Sequence, residues 1–296
     1  MKVLKFAAID IGSNAVRLLF TNVIEDGKRP TFKKSSLVRI PLRLGEDAFT
    51  LGKITDRRID KLVKTMTAFK HLMEVQEVVA YRACATSAMR EASNSAEIVE
   101  RVKRESGIAI EVIDGKQEAE IIYSNQIVEM LNDDKTYIYV DVGGGSTELT
   151  VFAKRQMETS RSFNIGTLRM LNKKVTKGHF DELKAWIKEQ NLDTRETSVI
   201  GSGGNINKIL KVSGKKDLQQ LEFDELKEIH RFVSYYSVDE RIKTLGMNPD
   251  RADVIVPAAE IFLKVMKWSG SKKVIIPTIG VSDGIVHQIY HDYKGR

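Results

Sequence analysis

Apolar and polar positions follow two periods along the chain, and each switch of period marks an element boundary. Residues 6–11 (FAAIDI) form a short apolar run that closes on Asp10 and Gly12. Residues 16–24 (VRLLFTNVI) form a second β-rich run, and the small, polar GSNA between them reads as a hairpin turn. A third strand is expected over 31–40. Beyond Thr55, an N-cap candidate, apolar residues recur at Ile59, Leu62, Val63, Met66, Phe69, Leu72 and Met73, and these steps of three and four predict an amphipathic helix. Residues 77–83 return to strand. ATSAMREASN reads as a loop running into a helix, EIVERVKRESG as a helix stopped by Gly107, IAIEVI as a strand, and Gly115 to Met130 as a helix.

The opening pattern then recurs. Residues 136–141 (TYIYVD) are a strand ending at Asp141, GGGS is the turn, and 147–153 (TELTVFA) is the return strand. Helices are expected over 177–190, 204–211, 222–234, 238–245, 250–269 and 283–293, with short strands at 197–201 and 273–277. Strands alternating with helices after each hairpin predict an α/β fold. The stretch from Asp10 to Leu18 lies over the stretch from Asp141 to Leu149 without a gap. Each copy has a hydrophobic strand, an aspartate at its end, a glycine two residues on and a return strand, so a duplicated unit with two similar halves facing each other is expected.

Composition narrows the picture a little. A length of 296 residues suits two domains at about 150 residues each. Hydrophobic residues make up 42% and charged residues 29%, ordinary values for a soluble globular chain with a real core. Lys and Arg number 47 against 40 Asp and Glu, leaving a net charge of +7 that favours anions without choosing among nucleic acid, a membrane surface or a phosphate polymer. Cys84 is the single cysteine, which forbids an internal disulfide and fits a reducing compartment. No apolar run is long enough for a signal peptide or a membrane span, so a cytoplasmic protein is expected.

The candidate chemistry lies in small-residue loops. Phosphate oxygens need several converging N–H donors, and glycine permits the backbone angles that supply them. Gly143-Gly144-Gly145-Ser146, Gly12-Ser13-Asn14, Gly201-Ser202-Gly203-Gly204-Asn205 and Gly280-Val281-Ser282-Asp283-Gly284 are four such loops, the third opening a helix. One loop by itself reads as a tight turn; four of one style point to phosphate. Neither a G-x-x-x-x-G-K-[ST] loop nor a G-x-G-x-x-G after the first strand is present. Asp10 and Asp141 end equivalent strands, and Glu148 on the return strand can join Asp141 around a Mg²⁺ ion. Arg17 holds the repeat position of Glu148, offering phosphate a cation; the alternative is that Arg17 and Glu148 are ordinary solvent-facing strand residues. Arg90 follows Thr86 and Ser87 by a helical turn, a set that suits phosphate. His287 and His291 have metal-ligand spacing without a third ligand motif, Cys84 reads as a small buried residue, and the lysine pairs at 33–34, 173–174, 215–216 and 272–273 as solvated faces.

DIGSNAVRL (10–18), ATSAMREASN (85–94), GKQEAEIIY (115–123), DVGGGSTEL (141–149), NIGTLRM (164–170), IGSGGNINKI (200–209), RADVIVPAAEIF (251–262) and VSDGIV (281–286) follow in one order along nearly the whole chain. Together they resemble the exopolyphosphatase and guanosine pentaphosphate phosphohydrolase family, in its short two-domain form, within the actin, Hsp70 and sugar-kinase superfamily. The resemblance implies two ribonuclease H-like (actin-like ATPase) domains flanking an interdomain cleft. The first would span 1–124, completed by a C-terminal helix over 284–296, and the second 125–283. It implies Glu118, from the family's E-E-A segment, as the base that activates water. It places Mg²⁺ or Mn²⁺ on Asp141 and Glu148, with Asp10 as a further candidate. It places phosphates on Ser13, Asn14, Arg90, Gly143, Gly144, Gly145 and Ser146, and the reading of the residues themselves adds Arg17, Thr86, Ser87, Gly203 and Gly204.

This chain departs from the family pattern at Gln117, Glu120, Asn205 and Ala258. The expected activity is hydrolysis of terminal phosphate from inorganic polyphosphate. Guanosine pentaphosphate is the alternative substrate, and a non-catalytic polyphosphate or nucleotide sensor is the alternative of another class. A kinase of the same superfamily is disfavoured by ATSAMR and GKQEAE. Neither a membrane nor a specific nucleic acid is an expected partner, and a homodimer stays open. Longer relatives carry a further helical C-terminal region that holds long polymers, and by that analogy a preference for shorter chains or a lower processivity is expected here.

Overall fold

A computed structural model describes residues 1–27, 29–123, 131–215, 219–277 and 279–295. The chain forms two compact units, Met1–Asn125 with Val281–Arg296, and Gln126–Gly280.

In the first unit β1 (Lys2–Ile11), β2 (Val16–Glu25) and β3 (Thr31–Ile40) form an antiparallel meander. After α1 (Leu44–Leu51) and α2 (Asp56–Val75), β4 (Ala80–Ala85) pairs parallel with β1. The short α3 (Ser87–Glu91) and α4 (Ser95–Ser106) lead to β5 (Ile110–Val112), parallel to β4, and then to α5 (Gly115–Tyr123). The sheet order is β3-β2-β1-β4-β5. Phe6 to Ile11 are all buried, as a central strand covered on both faces requires. β3 is the exposed edge, and its Lys33 and Lys34 discourage pairing with another chain.

The second unit repeats this order. β6 (Thr136–Val142), β7 (Thr147–Ala153) and β8 (Gln156–Phe163) are again an antiparallel meander. α6 (Thr167–Leu171), α7 (Lys177–Glu189) and a 3₁₀ turn (Leu192–Thr194) precede β9 (Thr197–Ser202), which runs parallel to β6. Then come α8 (Gly204–Val212), β10 (Gln220–Glu222), α9 (Phe223–Tyr235), α10 (Val238–Lys243), α11 (Pro249–Ala252), α12 (Ile255–Ser269) and β11 (Lys273–Ile275). Read from one edge, the sheet is β8-β7-β6-β9-β11-β10. Its first five strands match the first sheet in order and direction, and β10 adds one antiparallel strand. Both sheets thus carry the ribonuclease H-like strand order expected from the resemblance. Ile261, Phe262, Val265 and Met266 of α12 fill the core against Ile138, Val140 and Val199 of β6 and β9. The chain closes with α13 (Val281–Lys294), which packs on β1, β4 and α5 of the first unit. No helix among the described residues is long and apolar enough to cross a membrane.

Several expectations shift. The helix expected from Gly115 to Met130 is seen over Gly115–Tyr123, and its remainder lies outside the described residues. The strand expected at 77–83 begins at Ala80, because its parallel pairing with β1 runs from Phe6↔Ala80 to Ile11↔Ala85. The expected helix over 250–269 is two helices. Pro257 would clash inside one continuous helix and instead sits in the first turn of α12. On α2, Leu72 is exposed, while the other expected apolar positions are buried. Residues 281–284 form no loop; they are the first turn of α13. Gly284 is there for packing, since a Cβ at that position would overlap the Ile121 carbonyl oxygen of α5.

Candidate active site

In the first unit, Asp10 and Arg17 face each other across β1 and β2, and Arg17 Nη1 donates to Asp10 Oδ2 at 2.5 Å. The turn between these strands is held from outside. Gly12 N donates to Ala15 O, Gly45 N to Ser13 O and Arg43 N to Asn14 O, the last two both at 2.9 Å. A trans peptide points its C=O and the next N–H in opposite directions. With the Ser13 and Asn14 carbonyls turned toward α1, the amides of Asn14 and Ala15 point to the other side, as an anion nest requires.

Ser13 Oγ lies 2.8 Å from Ser87 Oγ at the start of α3, and Thr86 N donates to Ile11 O at 3.1 Å, so the two polar segments are one cluster. Arg90 Nη1 donates to Ile113 O at 2.8 Å, just ahead of α5. Asp114 caps that helix. Gln117 N donates to Asp114 Oδ1 at 2.8 Å, and Asp114 N donates to Gln117 Oε1 at 2.9 Å, a reciprocal capping box. Gln117 and Glu120 are exposed, whereas Glu118 is 6% exposed and Ala119 is buried. Both departures from the family's acidic segment therefore fall on the solvent side of α5, and glutamine caps as well as glutamate would. Cys84 stands opposite Asp10 in register, and burial pushes its thiol up to about 12 against the pull of Arg82. It is a packing residue, a thiol at neutral pH.

In the second unit, Asp141 and Glu148 are register partners across β6 and β7, on one face of the sheet. Glu148 is buried at 3% exposure and accepts from Ser162 Oγ at 2.9 Å. The glycine loop after β6 is built like the first. Gly143 N donates to Ser146 O, Thr167 N to Gly143 O at 3.0 Å and Leu168 N to Gly144 O at 2.9 Å, while Arg169 Nε donates to Gly145 O at 2.6 Å. All three carbonyls are turned to α6, so the amides of Gly144, Gly145 and Ser146 aim the opposite way. Gly203 takes φ +98°, and a Cβ there would sit 3.0 Å from Asp141 Oδ1, which brings the start of α8 beside that carboxylate. Gly204 O accepts from Arg251 Nη1, and a Cβ at 204 would lie 3.0 Å from Nη2 of the same guanidinium.

Of the residues expected from sequence, each unit thus gathers its own set: Asp10, Ser13, Asn14, Arg17, Thr86, Ser87, Arg90 and Glu118 in the first, and Asp141, Gly143–Ser146, Glu148, Gly203 and Gly204 in the second. Asp10 is engaged by Arg17, while Asp141 meets a carboxylate in the same register position. Two carboxylates on adjacent strands, with water and phosphate oxygens to complete the shell, are a donor set that suits Mg²⁺. Among the described residues no group of three or more His, Cys, Asp or Glu is assembled for a metal, so the remaining positions would fall to water or substrate. His287 stacks on Phe32, ring centroids 3.7 Å apart. Sequence reading missed the two backing segments, Arg43–Gly45 and Thr167–Arg169. The second lies inside the NIGTLRM stretch, whose glycine was the available signal.

Two sheets of one strand order, each with an acidic strand end and an amide-presenting turn, define an α/β protein whose turns suit an anion such as phosphate. Comparison with known proteins sharpens this: the model of the Ppx/GppA phosphatase family matches residues 35–292, and the chain belongs to that family of phosphoanhydride hydrolases. It is 30% identical over 297 residues to the bifunctional 3-dehydroquinate synthase/phosphatase of Fusobacterium nucleatum, covering 91% of this chain and 44% of that protein. It is 24% identical over 303 residues to exopolyphosphatase 1 of Mycobacterium leprae, covering 96% and 88%. It is 23% identical over 304 residues to the guanosine-5'-triphosphate,3'-diphosphate pyrophosphatase of Aliivibrio fischeri, covering 97% and 60%. The chain therefore spans less than half of the first relative and most of the second. The crystal structure of the Aquifex aeolicus family member is similar at 25% identity and a TM-score of 0.76, with 99% of each chain covered.

Proposed function

We propose that this protein is a metal-dependent exopolyphosphatase that hydrolyses the terminal phosphate of inorganic polyphosphate. The observation that carries the reading is the paired design of the two strand-end turns. In both, the carbonyls are consumed by a backing segment and the amides are left aimed outward. Exopolyphosphatase 1 of Mycobacterium leprae, similar along 88% of its length, is named for this reaction.

In this reading Ser13, Asn14, Arg17, Thr86, Ser87 and Arg90 of the first unit, and Gly143–Ser146, Gly203 and Gly204 of the second, bind phosphoryl oxygens through amides, hydroxyls and guanidinium groups. Glu118, buried on the capped first turn of α5, takes the proton of the attacking water as the bond from phosphorus to the bridging oxygen breaks. The products are orthophosphate and a chain one phosphate shorter. Mg²⁺ or Mn²⁺ on Asp141 and Glu148, when bound, supplies positive charge to the phosphoryl oxygens. Positioning and electrostatics provide most of the acceleration, as in other phosphoryl transfers.

The test is phosphate release with Mg²⁺ from short polyphosphate, long polyphosphate and guanosine pentaphosphate in parallel. Glu118→Gln lowers kcat by roughly 100-fold or more while substrate binding stays near wild type. Full turnover in that variant removes Glu118 from the role. Faster release from guanosine pentaphosphate than from either polymer moves the assignment to that substrate, the one for which the Aliivibrio fischeri relative is named.

A further inference from the structure

The Gly143–Ser146 turn is backed by residues 165–169, and its three glycine carbonyls are not held alike. Those of Gly143 and Gly144 accept from the backbone amides of Thr167, Leu168 and Arg169, which other residues at these positions would supply equally. The Gly145 carbonyl accepts from a side chain, Arg169 Nε, at 2.6 Å. Gly145 has no Cβ to restrict its own torsions, so its peptide plane needs an external hold. That plane matters because the Gly145 C=O and the Ser146 N–H are opposite ends of one trans peptide.

The surroundings are built for the contact. A Cβ at Gly166 would overlap the Gly144 carbonyl oxygen and Gly145 carbonyl carbon, so glycine there lets the backing segment come close. Thr147 Oγ1 donates to Ile165 O at 2.6 Å and ties the segment to β7. Thr167 and Leu168 are buried, which fixes the base of α6 from which Arg169 reaches back. Thr167 Oγ1 adds a long contact of 3.4 Å to the Gly143 carbonyl, which the Thr167 amide already holds, whereas the Gly145 carbonyl is held by the Arg169 guanidinium.

We infer that Arg169 is a positioning residue for phosphoryl transfer: it locks the Gly145–Ser146 peptide so that the Ser146 amide is aimed at a phosphoryl oxygen before substrate arrives. The identity of that anion rests on the exopolyphosphatase reading; the hold on the turn does not. Pre-aimed donors are worth far more than donors that must reorganise during the reaction.

Arg169→Ala and Arg169→Lys are compared with wild type in two measurements. Hydrogen exchange over peptides spanning 141–149 reads the order of the turn without substrate. Exchange there speeds up about ten-fold in Arg169→Ala while peptides from β9 are unchanged; unchanged exchange over 141–149 overturns the inference. In phosphate release from inorganic triphosphate with Mg²⁺, kcat of Arg169→Ala falls about 10- to 100-fold with KM within about three-fold. Millimolar guanidinium chloride restores much of that loss, and sodium chloride at equal strength does not. Wild-type kcat in the folded variant, or a loss that guanidinium leaves untouched, also overturns it. Should Arg169→Ala fail to fold, Arg169→Lys decides: lysine lacks the planar fork, so faster exchange and a smaller kcat loss support the inference and wild-type values refute it. A wild type that releases no phosphate, with exchange responding as described, sinks the exopolyphosphatase reading and leaves the hold on the turn intact.

Discussion

Asp47 shows how one carboxylate supports the turn between β1 and β2 from a distance. It lies in the first turn of α1 and accepts from Thr55 N at 3.1 Å, Thr55 Oγ1 at 2.5 Å and Arg58 Nε at 2.8 Å. Arg58 also bonds Glu46 and the Leu42 carbonyl, so residues 42–47 are held as a unit beneath the Ser13 and Asn14 carbonyls. Burial pushes the Asp47 carboxyl up, but Thr55 and Arg58 together outweigh it and hold the group below the ordinary aspartate range. A carboxyl depressed by folding adds stability above its unfolded pKa and loses it as pH falls through the folded value. Asp47→Asn therefore destabilises by about 1–3 kcal/mol at pH 7, and the gap closes as pH is taken below about 4. Urea unfolding at pH 7 and pH 3 reads both; a gap of equal size at both would mean the charge is irrelevant. The same residues revise the reading of Thr55, which stands at the N-cap of α2 yet spends its hydroxyl on Asp47 and not on the helix.

Helix α13 meets α5 with almost no clearance. A Cβ at Gly284 would fall 2.0 Å from the Ile121 carbonyl oxygen, and α5 is the helix that carries Glu118. Gly284→Ala must push the two helices apart, costing about 1–3 kcal/mol by overpacking despite alanine's better helix propensity. Urea unfolding of the variant measures this, and an unchanged midpoint would show that the helices have slack. What the sequence disclosed about such elements depended on length and exposure. The meander openings were legible because β1 and β6 are buried on both faces and read as unbroken apolar runs before a small-residue turn. β8 went unread because QMETSRSF is a mostly exposed edge strand with no apolar alternation. α1 and α6 were missed because eight and five residues are too few to display a helical period, although they supply the backing for both turns. Glycine at 284 looked like a phosphate loop, since sequence does not separate a glycine chosen for a ligand from one chosen for a neighbouring backbone.

Across the molecule, the duplicated opening of the sequence corresponds to two sheets of the same strand order, so the repeat extends well past the nine aligned residues that revealed it. The divergence between copies lies in chemistry. One pairs aspartate with arginine across its first hairpin, the other aspartate with glutamate. The excess of seven positive charges acts at longer range. For a long polyphosphate, kcat/KM is expected to fall roughly ten-fold as salt rises from about 50 to about 300 mM, because the screening length shrinks to a few ångströms. Measuring this beside inorganic triphosphate, which meets less of the field, separates steering from local binding; identical salt slopes would argue against steering.

Helix α13 belongs to the first unit although it is joined to the end of the second. A ribosome making this chain therefore completes the later unit while the earlier one still lacks the helix that covers Phe6 and β4. The usual order of maturation during synthesis, amino-terminal part first, is inverted. Until α13 emerges, the nascent β1–β4 face is a natural client for chaperones.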